Sequence, residues 1–197
     1  MTAITGIRIR AALCGLAGLA LAACTPLDRL SPQEHLDRRS GDTLVVVNQP
    51  LVFARERSDV AVRARDYATL VAVEADRAGK YSAYLLAYRW STVDRRMAEL
   101  PAADAGALRI VADGREVVLT PLATLPAALQ SSDVLHAPRD AQYVLWAYAT
   151  DLGTLAYLAS SHSLTVRFPR EALPLEFGLW EDGRNALGEF AARGSTR

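Results

Sequence analysis

YATLVAVEADRAGKYSAYLLAYRWS, residues 67–91, decides the fold. Two long apolar runs, 67–77 and 81–91, flank the short link Ala78-Gly79-Lys80. Runs of this composition across a glycine-containing link predict a β-hairpin. In the second run Ser82, Tyr84, Leu86, Tyr88 and Trp90 share one face of a strand, and Tyr81, Ala83, Leu85, Ala87 and Arg89 share the other. Both faces are largely apolar, so this strand is expected at the centre of a sheet.

Downstream the pattern repeats. ALRIVA (107–112) and REVVLT (115–120) flank Asp113-Gly114, a pair suited to a type I′ turn, whose positive φ angles match the twist of paired strands. Residues 93–106 hold a possible short helix capped near Asp94, and 121–140, with three prolines, read as a long connection with one helical turn. QYVLWAYA (142–149) is a buried-looking strand. Thr150 or Asp151 can cap the helix that follows, with Leu152, Leu155, Ala156 and Ala159 on one face. SLTVRF (163–168) and LEFGLWE (175–181) are strands. RNALGEFAAR after Gly183 is a helix showing Leu187, Phe190 and Ala191 on one side.

Upstream, TLVVVNQPLVFA (43–54) is strand-like but interrupted by Pro50, which suggests an edge, a bulge or a break. Residues 55–66 carry Arg55, Glu56, Arg57, Asp59, Arg63, Arg65 and Asp66, with Val60 and Val62 alternating; mixed signs predict a solvated strand face or loop. Residues 25–42 are polar and broken by Pro26, Pro32 and Gly41, and read as a tether. Ser31 and Pro32 could start a short helix over 32–39. Together these signals predict a single β-rich α+β domain over residues 43–197, an antiparallel β-sandwich or open barrel with two or three short helices.

The N-terminus carries a different signal. Arg8 and Arg10 are the only charges before Asp28, and AALCGLAGLALAA (11–23) is an apolar run ending in small residues. A basic start, a short apolar core and a small-residue exit make a secretory signal. The run is shorter than the roughly 20 residues a membrane-spanning helix needs. Leu21-Ala22-Ala23-Cys24 resembles the lipobox of bacterial lipoproteins. The resemblance implies cleavage between Ala23 and Cys24, a diacylglyceryl group on the Cys24 thiol and acylation of its new amine. One acyl chain holds a protein only marginally on a bilayer, whereas the several chains of that class hold firmly. Thr25 stands where Asp usually retains such lipoproteins in the inner membrane, so the expected location is the periplasmic face of the outer membrane. Residues 24–42 then form the lipidated N-terminus and tether.

Composition narrows the chemistry. The chain has 197 residues, with 22 Lys and Arg against 22 Asp and Glu, which gives no reason to expect a nucleic-acid partner. The two cysteines are Cys14, inside the leader, and Cys24. Residues 25–197 therefore have no cysteine, which rules out disulfides, thiolate nucleophiles and Cys-ligated metal there.

Candidate catalytic groups are few. Ser160-Ser161-His162-Ser163 sets hydroxyls beside an imidazole, but nucleophilic catalysis needs that contact in space, with a third group orienting the base. Asp133, His136 and Asp140 share a loop, with a spacing that matches no zinc or calcium motif. Glu181 and Asp182 precede a helix, whose positive end accounts for them. Trp90, Trp146, Trp180, Tyr84, Tyr88, Tyr143 and Tyr148 could line a glycan or lipid groove, although core and cross-strand packing is the commoner role of such residues. The expectation is a non-enzymatic binding or assembly module of the cell envelope with a protein partner and no cofactor or metal. A hydrolase or metal-dependent enzyme built on His162 or His136 is the alternative, with a carrier of an apolar ligand behind it.

Overall fold

The computed structural model describes residues 30–61, 63–93, 106–130, 135–139, 141–168 and 175–195. The leader, Ala23, Cys24 and the helix expected near Asp94 lie outside the described residues, as do Val62, Asp133 and Asp140.

Among the described residues, ten strands form one antiparallel sheet: β1 Gln33–Leu36, β2 Thr43–Val46, β3 Leu51–Glu56, β4 Arg65–Arg77, β5 Lys80–Ser91, β6 Leu108–Ala112, β7 Arg115–Leu119, β8 Tyr143–Thr150, β9 Leu164–Phe168 and β10 Leu175–Glu181. Two α-helices accompany them among the described residues, α1 Leu152–Ser160 and α2 Arg184–Gly194. This is the β-rich α+β architecture the sequence predicts. No helix among the described residues is long and apolar enough to cross a membrane.

The central hairpin is β4–β5. It pairs without a slip from Asp66↔Ser91 to Arg77↔Lys80, leaving Ala78 and Gly79 as the turn. Both have positive φ, 54° and 81°, and Asp76 Oδ1 accepts the Gly79 N–H at 2.8 Å. Glycine adopts that geometry readily, but an L-residue with a Cβ is strained there by about 1 kcal/mol. Ala78→Asn is therefore expected to raise the unfolding free energy by about 0.5 kcal/mol, since asparagine tolerates this conformation and suits the first turn position. Urea unfolding checks it, and a lower midpoint for the variant would refute the strain argument. Asp113 and Gly114 turn the β6–β7 hairpin in the same way, at φ 48° and 81°.

β5 is central, as its two apolar faces predict, with β4 on one side and β8 on the other. β2 and β3 behave as one strand broken at Pro50. Both lie along the same edge of β4, but Val46 pairs with Val73 and Leu51 with Leu70, so residues 47–50 face only residues 71–72. The excess bulges out of the ladder. Beyond β3 the sheet continues through β10, β9, β6 and β7.

The sheet curls over on itself. Trp146 of β8 meets Phe168 of β9 at 5.7 Å between ring centroids, although β5, β4, β3 and β10 separate these strands in the sheet. Past β7, Pro121 bridges to Tyr148 and the Leu122 N–H donates to Ala147 O at 2.8 Å, so the edges of β7 and β8 approach without forming a ladder. Phe53, Leu70, Leu85, Ile110, Tyr148, Val166 and Phe177 fill the concave side, each at most 1% exposed. The convex side of β2, β4 and β5 is apolar too. Leu129 and Leu135 of the 121–139 connection join the buried core, and the expected helical turn in that connection is the 3₁₀ turn Ala127–Gln130.

Asp151 caps α1 by accepting the Thr154 N–H at 2.8 Å. Helices α1 and α2 pack together. At the end of α2 a Cβ on Gly194 would lie 2.6 Å from Leu152 Cδ1 and 3.0 Å from Glu74 Oε2, which places that end against both α1 and β4.

Two local expectations are corrected. The stretch around 32–39 is not a helix. Gln33–Leu36 forms β1 and pairs with Val46–Thr43, so the sheet begins within the stretch read as a tether. Pairing satisfies the open backbone edge of β2, a gain the Ser31 cap signal cannot register. The charged run 55–66 is not wholly solvated. Asp66 is completely buried and meets Arg55 at 2.8 Å and Arg57 at 3.2 Å, while Val60 lies in a turn and is exposed.

Candidate functional site

A groove of about 750 Å³ opens on the convex side of the sheet. Its floor is a cross-strand arrangement: Val52 pairs with Thr69, and Tyr67 with Trp90, which pairs in turn with Tyr143. Partners in an antiparallel ladder share a face, so these side chains converge although they come from four strands. Trp90 is held on two sides. Its ring stacks on Tyr67 at 4.2 Å and 12°, and its Nε1–H donates to Thr69 Oγ1 at 3.2 Å. Tyr143 is wedged edge-on against Tyr88 at 5.2 Å. Such ring pairs are each worth about 1 kcal/mol beyond the area they bury, so the aromatic floor is rigid.

The walls come from two stretches far apart in sequence. Gln33 and His35 belong to β1; His136, Ala137, Pro138 and Arg139 belong to the connection before β8. The imidazole of His136 is fixed by the bulge between β2 and β3, because Val47 O lies 2.8 Å from Nε2. A carbonyl oxygen only accepts, so Nε2 carries the hydrogen and Nδ1 is left for another partner. His136 itself has φ 52°, and the ring contact helps hold that strained backbone in place. Among the described residues, the side chains of His35 and Arg139 have no ion pair or hydrogen bond. None of the described lining residues carries a carboxyl group.

Comparison of the chain with protein-family models, curated proteins and solved structures returns no match.

The other candidate chemistry is not assembled among the described residues. His162 is 97% exposed, and its Nδ1 lies 3.6 Å from Asp113 Oδ2. The Ser163 hydroxyl donates to Asp113 Oδ1 at 3.1 Å, so the carboxylate sits between hydroxyl and imidazole. A nucleophilic triad needs the imidazole in the middle, where it can take the hydroxyl proton. Asp113 instead ties the β6–β7 turn to the loop before β9. It accepts the backbone N–H groups of His162 and Ser163 at 3.0 and 2.8 Å, and those bonds hold its carboxyl down at about 2. The Ser161 hydroxyl donates to Leu158 O at 2.7 Å and finishes α1.

Of the loop ligands considered for metal, His136 alone is described, and no group of three or more His, Cys, Asp or Glu among the described residues is arranged to hold an ion. Asp182 accepts the Arg184 N–H at 3.0 Å and pairs with its guanidinium at 2.6 Å, the helix-start role expected of it. The aromatic set divides. Tyr88 and Tyr148 are fully buried, whereas Trp90 and Tyr143 line the groove. Sequence alternation marked Trp90 and Tyr143 without separating them from the core tyrosines, and it gave no sign that His35 would join His136.

A smaller concavity of about 500 Å³ lies between β7 and the start of α1. Its charges are already engaged: Glu116 with Arg109 at 2.7 Å, Asp151 with Thr154, and Arg115 over the Tyr157 ring at 5.1 Å. The groove on the convex side has polar groups to spare, and this concavity does not.

Proposed function

We propose that this protein is a lipid-anchored binding module of the cell envelope, held through Cys24 on the periplasmic face of the outer membrane, with an envelope protein as partner. The binding part of this reading rests on one observation: a groove of about 750 Å³ with a rigid aromatic floor and polar walls, a size within the usual range of ligand sites. The anchor rests on the leader and on Leu21-Ala22-Ala23-Cys24. Labelled palmitate should enter the wild-type protein and not Cys24→Ser; equal labelling would refute lipidation at this residue. Fractionation should recover the protein with the outer membrane, and recovery with the inner membrane would overturn the argument from Thr25. Crosslinking in living cells should capture a stoichiometric envelope protein that is lost with the anchor.

A second reading, hydrolysis through His136, has in its favour that this imidazole lines the groove. It lacks the remaining parts among the described residues. No carboxylate stands there to orient the ring, and the one hydroxyl of the floor other than Tyr143, that of Thr69, accepts from Trp90. The carrier reading needs space between the sheet faces, where the side chains named above are packed.

A further inference from the structure

We infer that the groove on the convex face takes a sugar bearing an anionic group, a carboxylate or a phosphate. The inference rests on the binding-module reading and names the ligand class of the same site.

Three features carry it. The first is charge. His35, His136 and Arg139 stand around the opening, and no acid stands among the described lining residues. The chain as a whole is balanced, 22 basic against 22 acidic residues, so a concavity with bases and no acid among its described lining residues is a local departure. Several arginines elsewhere are matched, Arg55 and Arg57 by Asp66, Arg65 by Glu56, Arg109 by Glu116, Arg167 by Glu176 and Arg184 by Asp182, although pairing is not universal. Arg139 has no such partner among the described residues, and its planar fork is the geometry that meets a carboxylate or phosphate with two hydrogen bonds.

The second is the floor. Trp90 and Tyr143 present apolar surface flanked by polar groups, which suits a flat ring with hydroxyls at its rim better than a purely apolar chain. The third is preorganisation. Trp90 is fixed by Tyr67 and Thr69, Tyr143 by Tyr88, and His136 by Val47 O, so little side-chain freedom is left to lose on binding. The fixed Nε2–H of His136 leaves Nδ1 to accept a hydrogen bond from a sugar hydroxyl.

The test is calorimetric titration of the full-length chain, purified in detergent, with four probes: a uronic-acid disaccharide, the same disaccharide with its carboxyl reduced to an alcohol, a sugar phosphate and inorganic phosphate. One of the two acidic sugars should bind at least about tenfold tighter than the neutral disaccharide and than phosphate, a ratio of the size one charge-assisted contact supplies. Preference between the two acidic sugars tells carboxylate from phosphate. Arg139→Gln and His35→Gln, both at the groove wall, should each weaken that binding several-fold, with circular dichroism unchanged. Lys80→Gln, in the β4–β5 turn region away from the groove, should leave it unaltered. Equal binding of the acidic and neutral sugars would overturn the inference. So would phosphate binding as tightly as either acidic sugar, or a folded protein that binds none of the four. Palmitate labelling and fractionation do not depend on these probes, so failure here and failure of the envelope reading are separable.

Discussion

Gly183→Ala is expected to be among the most damaging single-methyl changes in the chain, lowering the unfolding free energy by about 3 kcal/mol. The reason is steric. Gly183 stands between β10 and α2 with φ −93°, a value any residue adopts, so no left-handed backbone is at stake. A Cβ there would lie 2.4 Å from Pro50 O and 2.5 Å from Gln49 O. Those oxygens belong to backbone, and that backbone is pinned: Val46 and Leu51, on either side of the bulge, are in register with Val73 and Leu70 of β4. The other side can yield no better, because α2 starts at the next residue and buries Ala186, Leu187, Phe190 and Ala191. Thermal unfolding followed by circular dichroism should show a midpoint lower by roughly 6–12 °C for a domain of this size. Gly188→Ala supplies the control. It lies inside α2, and its Cβ would meet Ala159 Cβ at an ordinary 3.7 Å. Alanine exceeds glycine in helix propensity, so that variant should gain about 0.5–1 kcal/mol. Two glycines five residues apart are thus expected to respond with opposite signs. An unchanged midpoint for Gly183→Ala would show that α2 and the bulge can separate freely.

Asp66→Asn is expected to cost about 2–4 kcal/mol near neutral pH. The Asp66 side chain is fully buried on the concave side, where burial alone would raise its pKa. Hydrogen bonds from Arg55, Ser91 and Arg57 outweigh that, and the carboxyl is held below its usual value. The amide keeps the shape, loses the charge, and leaves two guanidiniums without their shared anion. Arg55 and Arg57 are each about one-quarter exposed and can turn partly to water, which keeps the cost below that of a fully enclosed pair. A carboxyl with a depressed folded pKa stabilises the protein above its unfolded pKa, about 4, and that stabilisation is lost as pH falls through the folded value. Urea unfolding of both proteins across pH should therefore show a gap that is constant near neutrality and narrows below about pH 4. A gap of the same size at acid pH would mean that shape, not charge, accounts for the loss.

Much of the fold is legible in the sequence because local chemistry and tertiary structure agree there. The alternation over 67–91 gives the central hairpin, Asp113-Gly114 gives a turn that needs positive φ at two positions, and Asp151 and the apolar spacing after it give α1. The absence of cysteine after residue 24 excludes disulfides and thiolate chemistry from residues 25–197. These readings depend on neighbours within a few residues.

Tertiary structure alone decided the rest. Residues 33–36 carry a helix-start signal just ahead of them and little apolar content, yet they form β1, because the open edge of β2 offers backbone partners at no cost in buried polar groups. Asp66 ends a charged run, and only its register opposite Ser91, beside Arg55 on β3, turns its side chain into the core. The groove is the extreme case. His35 and His136 are placed together by the pairing of β1 with β2 and by the contact of His136 with Val47, while Trp90 and Tyr143 meet through the β5–β8 ladder. A strand specifies which side chains share its face by alternation, but its register against a strand fifty or a hundred residues away is set by the packing of the whole sheet, and no local pattern records it.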